Sequence, residues 1–115
     1  MCSKNQLNML TKDIVQEYRK VYGETIDSIL LFGSYARGEE NDDSDIDIVA
    51  IVHGERLILQ EQLKQIWDVS ANIGLENDVI ISPVVIPFDE YEKYKDTLPY
   101  YNNISKEGIV IEWIK

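Results

Sequence analysis

Asp45 and Asp47, with one residue between them, open the apolar run Ile46 to Val52 (IDIVAIV). The β-branched content of that run predicts a strand, ended by Gly54. Strand side chains alternate, so the two aspartates share one face while Ile46 and Ile48 point into a core. Two carboxylates about 7 Å apart on a partly buried face repel each other unless a cation sits between them. Mg²⁺ is the simplest ion with oxygen ligands that would remove the repulsion, and Mn²⁺ fits the same ligands. The bland alternative is a strand end where both acids face water. A calcium loop starting at Asp43 fails, because Ile48 stands where its glycine is needed and Gly54 where its bidentate glutamate is needed.

A second feature lies upstream, where Gly33-Ser34 follows the apolar run Ile26 to Phe32 (IDSILLF) and precedes Tyr35-Ala36-Arg37, a short helix start. Glycine lets backbone approach a ligand, and N–H groups at a helix start attract phosphate. Ser34 adds a hydroxyl, and Arg37 one turn on can pair with a phosphate oxygen. Each also has a plain role: a turn with an N-cap, and a cation neutralising nearby acids. No P-loop pattern is present. Together with the acid pair, the turn describes a site for a metal-bound triphosphate. Between them, six of the nine residues from Glu39 to Asp47 are acidic. Glu39, Glu40, Asp42 and Asp43 read as a solvated loop.

The elements that position these residues follow from periodicity. Leu7, Leu10, Ile14, Tyr18 and Val21 predict an amphipathic helix stopped by Gly23. Leu57 to about Asn72 predicts a second, with Leu59, Leu63, Ile66 and Trp67 on its apolar side and Gly74 after it. Val79 to Ile86 is a third strand, and its Pro83 predicts an edge or a bulge. Phe88 to about Lys95 and Leu98 to Glu107 are helical, the latter with Pro99 in its first turn. Ile109 to Trp113 is a last strand. Three or four strands interleaved with helices predict one α/β or α+β sheet domain over residues 1–115.

The 115 residues, 44% apolar and 28% charged, are those of an ordinary globular domain. A net charge of −10 argues against passive nucleic-acid binding, which needs a basic face, and allows a basic protein partner or a cation. One cysteine, Cys2, makes no internal disulfide, and no stretch is long enough for a signal or membrane helix, so the expected location is cytoplasmic. His53 beside Gly54 reads as a surface turn residue rather than a base. Trp67 reads as core. Tyr91, Tyr94, Tyr100 and Tyr101 read as core or rim, with a partner surface as the sharper alternative.

Gly33-Ser34, ten residues, then Asp45-Ile46-Asp47 resembles the nucleotidyltransferase superfamily of DNA polymerase beta. The fuller string GSYARGEENDDSDIDIVAIV is similar to its small bacterial and archaeal branch, the minimal nucleotidyltransferase (MNT) domains. The ending YYNNISKEGIVIEW is similar to the ends of MNT chains. The resemblance implies a small mixed sheet flanked by helices, with Gly33 and Ser34 on the β- and γ-phosphates of ATP. It implies two Mg²⁺ ions on Asp45 and Asp47 and a third carboxylate on a later strand. Asp78 is the candidate for that carboxylate, as metal ligand or proton acceptor, with Asp68 and Glu76 as substitutes. MNT domains commonly pair with a HEPN-type toxin, a helical RNase, and transfer AMP to its tyrosine. The resemblance therefore implies an Mg²⁺- and ATP-dependent protein adenylyltransferase acting as an antitoxin, alone or in a homo- or hetero-oligomer. A binding antitoxin without transfer, and a transferase acting on a small hydroxyl compound, are the alternatives.

Overall fold

The computed structural model describes residues 4–33, Tyr35, Gly38 and 45–113, with the side chains of Glu112 and Trp113 left aside. The expectations for Cys2, Ser34, Ala36, Arg37 and the acidic stretch 39–44 lie outside the described residues. In chain order come α1 (Lys4–Tyr22), a 3₁₀ turn (Gly23–Thr25), β1 (Ile26–Phe32), β2 (Ile46–Val52) and α2 (Arg56–Asn77). β3 (Ile81–Pro87), α3 (Phe88–Tyr94), α4 (Pro99–Glu107) and β4 (Ile109–Trp113) follow.

The sheet is mixed, in the order β3-β2-β1-β4. β1 pairs antiparallel with β2 and with β4, while β2 and β3 run parallel, joined through α2. A parallel pair needs such a crossover, because a tight turn cannot return the chain in the same direction. Pro83 therefore sits on an edge strand, as its missing N–H requires.

Both sheet faces are covered. α1 and α2 bury Leu10, Ile14, Tyr18, Leu59, Leu63 and Ile66 against Ile29, Leu31, Ile46, Ile48 and Ala50. On the other face Tyr101 and Ile104 of α4 pack on Leu30, Val49, Ile51 and Ile86, with Phe88, Tyr91 and Tyr94 of α3 at the margin. A bulge between Ile26 and Ser28 keeps Ile26 on the α1 side despite the odd spacing to Ile29.

One hydroxyl joins α1 to the sheet. The fully buried Tyr18 donates toward Ile48 O at 2.8 Å, with Val84 O at 2.9 Å, and accepts from Val84 N–H at 3.1 Å. In a parallel ladder with Ile48 opposite Pro83, the Val84 N–H is the group aimed at Ile48 O. The Tyr18 hydroxyl occupies that junction, and burial pushes its pKa well above the ordinary phenol value.

Two expectations are corrected. Trp67 is 47% exposed rather than core. The buried stripe of α2 is Leu59, Leu63, Ile66, Ser70 and Gly74, which leaves Trp67 on the solvent side of that line. Gly74 lies inside α2, not beyond it. A Cβ there would stand 2.6 Å from Val79 O, so the glycine serves the close return of the chain, where Val79 N–H donates to Gly74 O at 3.0 Å.

Candidate active site at the acid end of β2

The antiparallel register sets Phe32, the last residue of β1, opposite Asp47. The parallel register sets Ser82 of β3 on the other side of Asp47. Residues paired this way share a face, so Phe32, Asp47 and Ser82 form one row across three strands. That row lies on the α3/α4 face, since Val49 and Ile51 continue it into the second core. Along this side of β2 the environment changes steadily: Asp45 is exposed, Asp47 is half-buried, and Val49 and Ile51 are buried.

Asp45 and Asp47 thus share a face as the alternation requires, but water alone can meet the charge of Asp45. The tighter constraint falls on Asp47. Gly33 follows Phe32 directly and has φ +81°, a left-handed conformation natural to glycine. A Cβ built on Gly33 would land on Asp47 Oδ2, with Asp47 Cγ at 3.4 Å. The glycine turn and the half-buried carboxylate therefore touch, which only a side chain as small as hydrogen permits. Tyr35, two residues on, is buried in the α1/α2 core.

Asp78 lies outside this row. It caps the C-terminus of α2 in the left-handed region (φ 55°), exposed, three residues ahead of β3, with its N–H on Gly74 O. The β3 residue beside Asp47 is Ser82 instead. Asp68 and Glu76 are exposed on α2. Among the described residues no three His, Cys, Asp or Glu side chains gather around one metal position, so none of these completes a triad with Asp45 and Asp47. The pair, with Gly33, is what the structure assembles, and two carboxylates at a strand mouth are a donor set that suits Mg²⁺.

Sequence reasoning missed two neighbours. Ser82 carries no signal of its own, because its place beside Asp47 depends on the register of a parallel pair. Tyr100, in the first turn of α4, belongs to the tyrosine cluster already singled out. Its ring meets Phe32 edge-on with centroids 6.0 Å apart. Burial raises its pKa, and the negative charge of Asp47 pushes the same way. His53 is exposed and tilts over Phe88 at 4.2 Å between ring centroids, a packing role away from the acids.

A second polar cluster closes the same face. Arg56 at the start of α2 donates through Nε to Glu90 Oε2 at 3.1 Å and through a terminal nitrogen to Oε1 at 2.7 Å. The Tyr101 hydroxyl donates to Glu90 Oε1 at 3.0 Å and accepts from Arg56 at 3.3 Å. The clamp ties α2, α3 and α4 together. The guanidinium in turn holds the Glu90 carboxyl below its usual range.

A protein of Methanocaldococcus jannaschii named provisionally as a protein adenylyltransferase is 32% identical over 93 residues, 71% of this chain and 92% of its own length. A second relative of that organism, named in the same way, is 29% identical over 100 residues, 87% of this chain and 92% of its own. Among solved structures, a nucleotidyltransferase, so named provisionally, from Sulfolobus solfataricus superposes with a TM-score of 0.54 at 22% identity, covering 91% of this chain and 78% of that one. A toxin–antitoxin structure with AMP-PNP gives a TM-score of 0.52 at 15% identity, covering 89% and 73%. Both share the fold. The family model of the nucleotidyltransferase domain matches residues 9–111, from α1 to β4, and the chain belongs to that enzyme family.

Proposed function

We propose that this protein transfers AMP from ATP to a tyrosine hydroxyl of a partner HEPN-type toxin, with Mg²⁺ bound, and so acts as the antitoxin. The observation that carries the reading is the contact of Gly33 with Asp47 Oδ2, which sets a glycine of left-handed φ against a carboxylate suited to a cation. The names of the archaeal relatives favour a protein as acceptor, and the toxin–antitoxin structure with AMP-PNP favours a toxin and an adenine nucleotide. The net charge of −10 suits a basic, RNA-binding partner surface.

Asp45 and Asp47 would hold Mg²⁺, which supplies neutralisation of the triphosphate charge and of the departing pyrophosphate. Gly33 leaves the backbone of the turn open to the β- and γ-phosphates, Ser34 adds a hydroxyl, and Arg37 pairs with a phosphate oxygen. The acceptor oxygen attacks the α-phosphorus in line. One P–O bond forms to the tyrosine as the bond to the β-phosphate oxygen breaks; pyrophosphate leaves and the phenolic proton passes to solvent. Catalysis comes mainly from positioning and charge stabilisation. Asp78 caps α2 three residues ahead of β3, so no metal-ligand role is given to it here.

The test incubates the protein with labelled ATP, Mg²⁺ and a helical protein encoded beside it that carries an Arg-x(4–6)-His pattern. Label and a mass gain of one AMP on that partner are expected. Asp47→Ala is expected to lower transfer on the order of a hundredfold while leaving the fold intact, as melts with and without Mg²⁺ would show. Neutralisation that survives both Asp45→Asn and Asp47→Asn means masking by binding alone. Pyrophosphate release with label on neither protein means a small acceptor.

A further inference from the structure

The first turn of α4 carries an aromatic ring to the acid end of the sheet. Tyr100 is 47% exposed, and its ring stands at 90° to that of Phe32. Phe32 is the register partner of Asp47 and the residue before Gly33, so the ring pair borders the turn and the carboxylate together. The backbone at Tyr100 is held on both sides. Pro99 fixes the start of α4, and the buried Tyr101 is tied to Arg56 and Glu90. The Tyr101 ring also lies 6.0 Å from that of Tyr100, tilted by 48°, so two rings orient Tyr100 while 47% of it stays exposed. A planar base has a π-face that stacks on such a ring whatever the base, at small entropic cost when the ring is already positioned.

We infer that Tyr100, buttressed by Phe32, stacks the nucleobase of the nucleoside triphosphate and lets the site distinguish a nucleotide from a bare polyphosphate. The inference rests on the nucleotide reading above and deepens it by adding a binding residue. Any base stacks on a tyrosine, so the platform selects for the presence of a base and leaves the choice of adenine to other groups. The rival role is rim packing, in which the ring only seals α4 against Phe32.

The test is equilibrium binding of Mg²⁺ with AMP-PNP and of Mg²⁺ with inorganic tripolyphosphate to wild type, Tyr100→Phe, Tyr100→Leu and Tyr100→Ala. Tyr100→Phe is expected to bind AMP-PNP within about twofold of wild type, because the π-face remains. Tyr100→Ala and Tyr100→Leu weaken AMP-PNP roughly five- to one-hundredfold. All variants keep tripolyphosphate binding within about twofold. Leucine retains apolar volume against Phe32, so the outcome does not hang on the folding of the alanine variant. Equal losses for both ligands, or no loss for either, overturn the platform. Wild-type protein that binds neither ligand overturns the nucleotide reading, and the platform falls with it.

Discussion

The sheet face under α1 and α2 differs from the face under α3 and α4 in where its apolar stripe ends. Toward α1 and α2, β2 presents Ile46, Ile48, Ala50 and Val52, all buried from one end to the other. On the opposite face the stripe is Ile51 and Val49, then the half-buried Asp47 and the exposed Asp45. Helix length accounts for the difference. α1 and α2 have 19 and 22 residues, about 28 and 33 Å of helix, and outreach a seven-residue strand of about 23 Å. α3 and α4 have only 7 and 9 residues, about 10 and 13 Å. Among the described residues the short helices do not cover the start of β2, and the carboxylates occur where that cover stops. One face is committed to stability and the other divides between core and site.

The sharpest way to break that division is Gly33→Ala. The substitution strains a φ of +81° and forces the Asp47 carboxylate to move. The left-handed strain costs about 1–2 kcal/mol of stability. A displacement of Asp47 on the order of 1 Å is expected to lower transfer about a hundredfold. Denaturant melts and pyrophosphate release measure the two effects separately. A variant with wild-type activity would mean that the contact with Asp47 has no catalytic consequence.

Tyr18→Phe probes the other face. It leaves Ile48 O and Val84 N–H without the hydroxyl between them, in the buried core, at a cost of about 1–3 kcal/mol. Transfer measured well below the melting temperature is expected to stay within twofold of wild type. Loss of activity without loss of stability would show that the faces are coupled through the register of β2 and β3.

Periodicity made most of this architecture legible. The acids of β2 broke a strictly apolar strand pattern on alternate residues, and that alone assigned Asp45 and Asp47 to one face. The errors arose where small or polar residues complete an apolar stripe. Ser70 and Gly74 finish the buried line of α2, though neither looks apolar, while the large Trp67 lies on its solvent side. Gly74 resembled a helix stop because close backbone packing leaves the same residue type as chain termination. Asp78 resembled the start of a strand, yet aspartate is among the few non-glycine side chains that tolerate the left-handed cap found there. Ser82 was beyond reach, because a strand register is fixed by the whole sheet. Tyr100 was visible as a residue and not as a neighbour of Phe32.

The smallest effect concerns what holds α3 and α4 down. The α1/α2 face relies on apolar packing and the Tyr18 junction, while the other adds the Arg56–Glu90–Tyr101 clamp. The Glu90 pKa lies below 4.5 because Arg56 donates to it, so its stabilisation is complete above that unfolded-state value and is lost as pH falls through the folded-state value. Arg56 is half-exposed (51%) in this pair, so solvent and salt limit the contribution to at most about 1 kcal/mol. Urea melts of wild type and Glu90→Gln are therefore expected to differ by up to about 1 kcal/mol at neutral pH and to converge in acid, where the wild-type carboxyl is also protonated. Added salt should shrink the neutral-pH gap, whereas the Tyr18→Phe deficit should hold, since it involves no charge. A Glu90→Gln gap that survives acid would mean that the side chain holds α3 by shape and hydrogen bonding to Tyr101 rather than by charge, which would make the two faces more alike than their residues suggest.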